Sequence, residues 1–199
     1  MLKFYKVLSL ILHPVFLPAM ASGVYLCVLP LPLLVIQKYF VFLLVIGATL
    51  IVPLLTLFLL KKIGYVKTNH AVTIEERKIP VIVMIVNYIF LASVLQEIWQ
   101  LRELVVLTYA TSLCLLVTSV MFYFKTKISL HMIGMASVLG FTLVYGINYV
   151  FSTITIALLF ILVGLLATAR LELKAHNFKE IVLGTSLGVL LPIVLNVLL

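Results

Sequence analysis

The sequence predicts an all-α, polytopic membrane protein: one integral membrane domain of about seven membrane-crossing helices. Three observations predict it. The 199 residues are 65% hydrophobic and only 10% charged, whereas a soluble domain carries about 25% charged residues. A water-soluble fold of this length has too much surface to hide so many apolar side chains. The apolar residues also come in runs of spanning length, with polar residues collected between them.

A helix needs about 20 apolar residues to cross the hydrocarbon core. By that rule the first span is Val15–Ile36, bent by its prolines, and the second is Tyr39–Leu60. A polar stretch, Lys61–Ile79, follows. The third span is Pro80–Ile98, with Pro80 suited to a first-turn position. The fourth is Leu104–Phe124, the fifth Ile128–Ile147, the sixth Tyr149–Ala169 and the seventh Glu180–Leu199. Lys3 and Lys6 ahead of an apolar run resemble a signal peptide only in outline. His13, Pro14 and Pro18 interrupt that run and further spans follow it, so it reads as a retained first helix. Cys27 and Cys114 both lie inside apolar runs and read as buried packing thiols.

Alternating spans put the N-terminus, Lys61–Ile79, Lys125–Lys127 and Arg170–Lys179 on one face. Every Lys and Arg except Lys38 and Arg102 falls on that face, and His13, His70, His131 and His176 lie on or near it. The formal net charge of +8 therefore points to lipid headgroups or an anionic substrate. No basic face with interleaved aromatics is present to suggest nucleic acid. Many of these lysines, Lys61, Lys62, Lys125 and Lys127 among them, also suit snorkelling anchors. By the positive-inside rule the basic face lies in the cytoplasm.

The polar residues of that face form a pattern. His176 and Glu180 are four apart; on a helix they share a face, where the carboxylate can orient one imidazole nitrogen and leave the other as a base or nucleophile. Arg170 adds a planar fork suited to phosphate oxygens. Gly184 and Gly188 follow at helical spacing and permit a close helix approach. Ser129 and His131 open the fifth span behind Lys127, and the long connection brings His70 and Arg77. His13, beside Pro14, reads as a polar group at a helix bend.

These residues resemble the motifs of the type-2 phosphatidic acid phosphatase superfamily. Ala169-Arg170, five residues, His176, three residues, Glu180 resembles its Ser-Arg…His…Asp motif, and Ile128-Ser129-Leu130-His131 resembles its Pro-Ser-Gly-His motif. His70 and Arg77 stand where that family has Lys and Arg, with Pro80 displaced from the position after the arginine. The resemblance implies a phosphatidic-acid-phosphatase-like helical core and a metal-independent, cofactor-free lipid phosphatase. His176 would attack phosphorus and form a phosphohistidine, Glu180 would orient it, and His131 would protonate the departing alcohol. Arg170, Arg77, Ser129, His70 and Lys127 would hold the phosphate. Partners would be a lipid phosphate and the surrounding lipid of a bacterial inner membrane; on the face the resemblance opposes the charge count, since many members of that family work on the extracytoplasmic leaflet. Ala169, Leu130, Glu180 and His70 replace the family's Ser, Gly, Asp and Lys, which leaves a second reading: a lipid-phosphate binder or transporter that has lost turnover.

Overall fold

A computed structural model describes residues 1–67, 73–145 and 153–199. His70 and the expected junction of the fifth and sixth spans, at residues 147–149, lie outside them. The described residues form helices and no strands. Five helices are long and apolar enough to cross a membrane: Val35–Lys62, Ile74–Leu95, Trp99–Tyr123, Thr153–Glu172 and Phe178–Leu198. Leu17–Val28 and Leu130–Tyr145 are shorter apolar helices. In chain order the helices are α1 (Leu2–Ile11), α2 (Leu17–Val28), α3 (Val35–Lys62), α4 (Ile74–Leu95), α5 (Arg102–Tyr123, after a single 3₁₀ turn), α6 (Leu130–Tyr145), α7 (Thr153–Glu172) and α8 (Phe178–Leu198). Leu43, Phe58, Phe90, Phe160 and Leu190 are among many large apolar side chains left exposed on the outside. Only a lipid surround makes that arrangement favourable, so the chain is an integral membrane protein.

The first expected span, Val15–Ile36, is not one helix. α2 stops at Val28 and Leu29 is extended (ψ 140°). Pro30 and Pro32 explain the stop, because a residue before proline is driven out of the helical region and proline itself cannot donate. A separate helix, α1, precedes His13 and Pro14. It buries Ser9 and leaves Phe4, Val7 and Ile11 exposed, beside Lys3 and Lys6.

Two further prolines act inside helices. Pro53 cannot donate to the Thr49 carbonyl, and α3 widens to a π-turn over Gly47–Ile51 just before it. Asn87 Nδ2 on α4 donates to the Ala48 carbonyl at 2.7 Å and ties the irregular turn to its neighbour. Pro80 is not at the start of its helix. α4 begins at Ile74, where Thr73 caps it: the Thr73 hydroxyl accepts from Glu76 N and the Glu76 carboxylate accepts from Thr73 N, both at 3.2 Å. That capping box moves the start of the helix upstream and places Arg77 in its first turns rather than in a loop.

The centre of the bundle is the pairing of α6 with α8. Small residues permit it. A Cβ on Gly184 would stand 2.8 Å from the Ser129 carbonyl oxygen, and one on Gly188 would stand 2.6 Å from that of Ile133. Each backbone therefore touches the other directly. Of the two cysteines, Cys114 is buried and Cys27 is exposed on α2, so only one is a packing thiol.

Candidate functional site

Five helix ends and one connection meet at the end of the bundle where α6 and α8 begin. Asn177 caps α8: its Oδ1 accepts from Glu180 N at 2.9 Å. His176 is thus one residue ahead of the cap and does not share a helix with Glu180. The pair forms nonetheless, with His176 Nδ1 2.6 Å from Glu180 Oε2. Asn177 Nδ2 donates to the other carboxylate oxygen at 3.2 Å. With a carboxylate as its acceptor, Nδ1 carries the proton and Nε2 keeps its lone pair.

His176 is 7% exposed. Burial pushes its pKa below the ordinary value of 6.5. The hydrogen bond it donates to Glu180 works upward against this, and the charges of Arg170 and Arg77 push further down. The result is an imidazole that stays neutral around neutral pH with one nitrogen available.

The neighbouring side chains come from distant segments. Ser129 N, just ahead of α6, donates to the Glu180 carbonyl at 3.3 Å, so the start of α6 is bonded to the start of α8. Ser129 is fully buried, and its Oγ has no partner among the described residues. Arg170, in the last turn of α7, has its Nε buried and equally unpartnered. Arg77 on α4 is half-buried and lies in the fields of Glu180 and Glu76, and its charge reaches Arg170. His131, in the first turn of α6, is buried and lies in the fields of Arg170, His13 and His176. Arg77, Ser129, His131, Arg170, His176 and Glu180 are therefore brought together. Lys127 is half-buried two positions before Ser129.

Two contributors stand outside the motifs. Arg170 Nη1 donates to Ser9 Oγ at 2.7 Å, and His131 Nε2 lies 3.2 Å from the Ser9 carbonyl. The His13 ring meets the His131 ring edge to face, with centroids 4.9 Å apart. His13 thus belongs to the cluster rather than to a bend alone. Ser9 gave one signal in the sequence: it is the single small polar residue among the apolar and basic residues of α1. Asn177 gave another, as a capping residue directly ahead of an apolar run.

No family model, curated protein or solved structure matches the chain. The chemistry of the site has to be read from its own atoms. Among the described residues no three His, Cys, Asp or Glu side chains cluster as metal ligands. What the site offers is two guanidiniums, two buried hydroxyls, the imidazoles of His131 and His13, and a neutral imidazole held by a carboxylate. Such a donor set suits a tetrahedral oxyanion.

Apolar space adjoins this end. One cavity is lined by Pro14, Leu130 and Gly134, which neighbour His13, Ser129 and His131 in sequence, and extends past Tyr88 to Leu104. Leu104 lies in the first turn of α5, at the opposite end of the bundle. Thr49, Thr108 and Thr111 also line it, and each hydroxyl donates to its own helix. Those hydroxyls therefore ask for no polar guest.

Proposed function

We propose that the chain is a metal-independent phosphatase acting on a phosphate monoester or diphosphate of a membrane lipid. It would be a divergent relative of the type-2 phosphatidic acid phosphatases, in which α2 and α6 also span to make seven crossings. One observation carries the reading: a buried imidazole, fixed by a carboxylate at 2.6 Å, lies in the fields of two guanidiniums. Pure anion binding has no use for an oriented neutral nucleophile; phosphoryl transfer does.

In this mechanism Arg170, Arg77 and Ser129 hold the phosphate oxygens and offset the charge that builds on them. His176 Nε2 attacks phosphorus, the P–O bond to the alcohol breaks, and His131, which takes up a second proton on Nδ1 together with the anionic substrate while Nε2–H stays on the Ser9 carbonyl, gives that Nδ1 proton to the alcohol oxygen. Glu180 holds the imidazolium that forms. Water then attacks the phosphohistidine, His131 takes the water proton, and the P–N bond breaks to return His176 and release phosphate. The apolar cavity beside Leu130 takes part of the lipid tail, which is why a lipid is the better substrate class than a soluble phosphate. The excess of Lys and Arg at this end supports a cytoplasmic face of a bacterial inner membrane as its setting.

The test is phosphate release by the purified, detergent-solubilised chain from a panel of phosphatidic acid, phosphatidylglycerophosphate, a polyprenyl diphosphate and a lipid A phosphate. Release from at least one, lost in His176→Ala, supports the reading. Lipid-phosphate binding without release favours a binder or transporter instead. For the face, a cysteine at the exposed Glu172, with Cys27 and Cys114 replaced, is challenged in intact cells with a membrane-impermeant thiol reagent. Labelling without lysis overturns the cytoplasmic placement.

A further inference from the structure

α1 is packed against α7 rather than trailing from the bundle, and one of its residues reaches into the site twice. Ser9 is the buried residue of α1, 7% exposed on a helix whose other polar groups, Lys3 and Lys6, face outward. Its hydroxyl oxygen accepts from Arg170 Nη1 at 2.7 Å, and its carbonyl meets His131 Nε2 at 3.2 Å. A carbonyl only accepts, so His131 Nε2 carries the proton at that contact. A serine hydroxyl that accepts from a guanidinium still has its own proton to give, and no other described residue takes it. On the same guanidinium Arg170 Nε is buried without a partner among the described residues, and so is Ser129 Oγ just ahead of α6. Three donors from α1, α7 and the start of α6 thus have protons unspent at the same cluster. Leaving such groups buried and unpaired is costly, and an anion that accepts from all three removes the cost.

We propose that Ser9 is a phosphate-binding residue, and that α1 is a working part of the site that supplies a hydroxyl to the same oxyanion that Arg170 and Ser129 hold. The inference rests on the phosphatase reading only for the anion's being a lipid phosphate; an oxyanion site alone requires less. The arrangement also gives α1 a second task. The residue that binds the phosphate fixes, through its carbonyl, the ring that must protonate the leaving group, so an anion drawn toward Ser9 is delivered beside His131.

Orthovanadate, a tetrahedral phosphate mimic, is the probe, used with the full-length chain in detergent. Its affinity is read from the shift in thermal unfolding midpoint, which needs no turnover, and from inhibition of phosphate release. Ser9→Ala is expected to weaken vanadate binding and raise KM about tenfold, the usual worth of one hydrogen bond to a charged group. Ser9→Thr, which keeps the hydroxyl, is expected to restore much of both. Ser9→Cys, nearly the size of serine and a poor donor, is the second variant if the alanine protein does not fold, and it is expected to behave like alanine. Unchanged vanadate affinity in Ser9→Ala or Ser9→Cys, even with a lowered unfolding midpoint, makes Ser9 a packing residue and overturns the proposal. A wild-type chain that releases no phosphate but is stabilised by vanadate through Ser9 sinks the phosphatase reading and leaves this one standing. A wild-type chain that does neither overturns both.

Discussion

The two ends of the bundle are both polar, and they are polar in different ways. At the end away from the candidate site, Tyr25 on α2 donates to Glu103 at 2.9 Å, Arg102 reaches Asn196 Oδ1 at 3.3 Å, and Tyr145 donates to the same Asn196 oxygen. Each contact joins helices far apart in sequence, and each donor has an acceptor inside the chain. At the site end, Ser129 Oγ and Arg170 Nε are buried with none among the described residues, and two arginines lie in one another's field beside the carboxylates of Glu180 and Glu76. A staple satisfies itself, because any orphaned buried group costs stability. A binding site is built the other way, with donors left for something outside the chain. The same residue types thus do structural work at one boundary and point to a ligand at the other.

The largest expected effect breaks the site end alone. His176→Ala removes the attacking nitrogen and is expected to lower turnover by at least about a thousandfold. It should leave the unfolding midpoint close to wild type and abolish trapping of a phosphoenzyme after acid quench. Near-normal turnover on the best substrate would remove His176 from the role of nucleophile. Glu180→Gln comes next. Gln keeps an oxygen near Nδ1 but loses the charge, so the loss should be smaller, about ten- to a hundredfold in kcat. Its pH profile is the sharper readout. His176 must be neutral to attack, so activity falls as pH drops through its pKa, which in the wild type is held below 6.5. Glu180 pulls that pKa up; without its charge the acid limb of kcat/KM should move to still lower pH. An acid limb that moves upward would contradict the pairing.

A third variant tests what holds the two halves of the site together. Gly184 lets α8 touch α6 at Ser129, one turn along from Glu180. In Gly184→Ala the new Cβ would stand 2.8 Å from the Ser129 carbonyl oxygen and 3.1 Å from Met132 Cβ. Relieving that contact requires the helices to part, at a cost of about 1–3 kcal/mol. The expected result is a lower unfolding midpoint together with a fall in kcat, because Ser129 and His131 move away from His176. A fall in stability with kcat unchanged would mean that the α6–α8 spacing does not set the geometry of the site.

Much of the site was legible because it is sequence-local: Arg170, His176 and Glu180 lie within one short stretch, and Ser129 and His131 within another. The glycine seam was legible by its helical spacing. What was not legible depends on contacts across the chain. Ser9 and His13 lie more than a hundred residues from the groups they touch, and nothing local in their neighbourhood announces a partner. The course of Val15–Ile36 was misjudged for another reason. Hydropathy sees an apolar run of spanning length, whereas Pro30 and Pro32 act through the backbone and end α2 at Val28. Pro80 misled in the opposite direction: it suggests a helix start, yet the Thr73–Glu76 capping box begins α4 six residues earlier and carries Arg77 into the helix.

The smallest expected effect belongs to the other end. Asn196→Ala removes the acceptor that Arg102 and Tyr145 share. Arg102 is exposed, so its share is small. Tyr145 is buried, so its hydroxyl loses a partner where water does not readily replace it. The net cost should be about 1 kcal/mol, read as a modest drop in unfolding midpoint. Turnover and vanadate affinity should stay at wild-type values, because Asn196 sits at the far end of α8 from Glu180 and shares no hydrogen bond with any group of the site. This is the control that gives the comparison its force. If Asn196→Ala lowers kcat as strongly as it lowers stability, the two ends are coupled through α8, and the contrast between a self-satisfied staple and an unsatisfied site would have to give way to one network running the length of that helix.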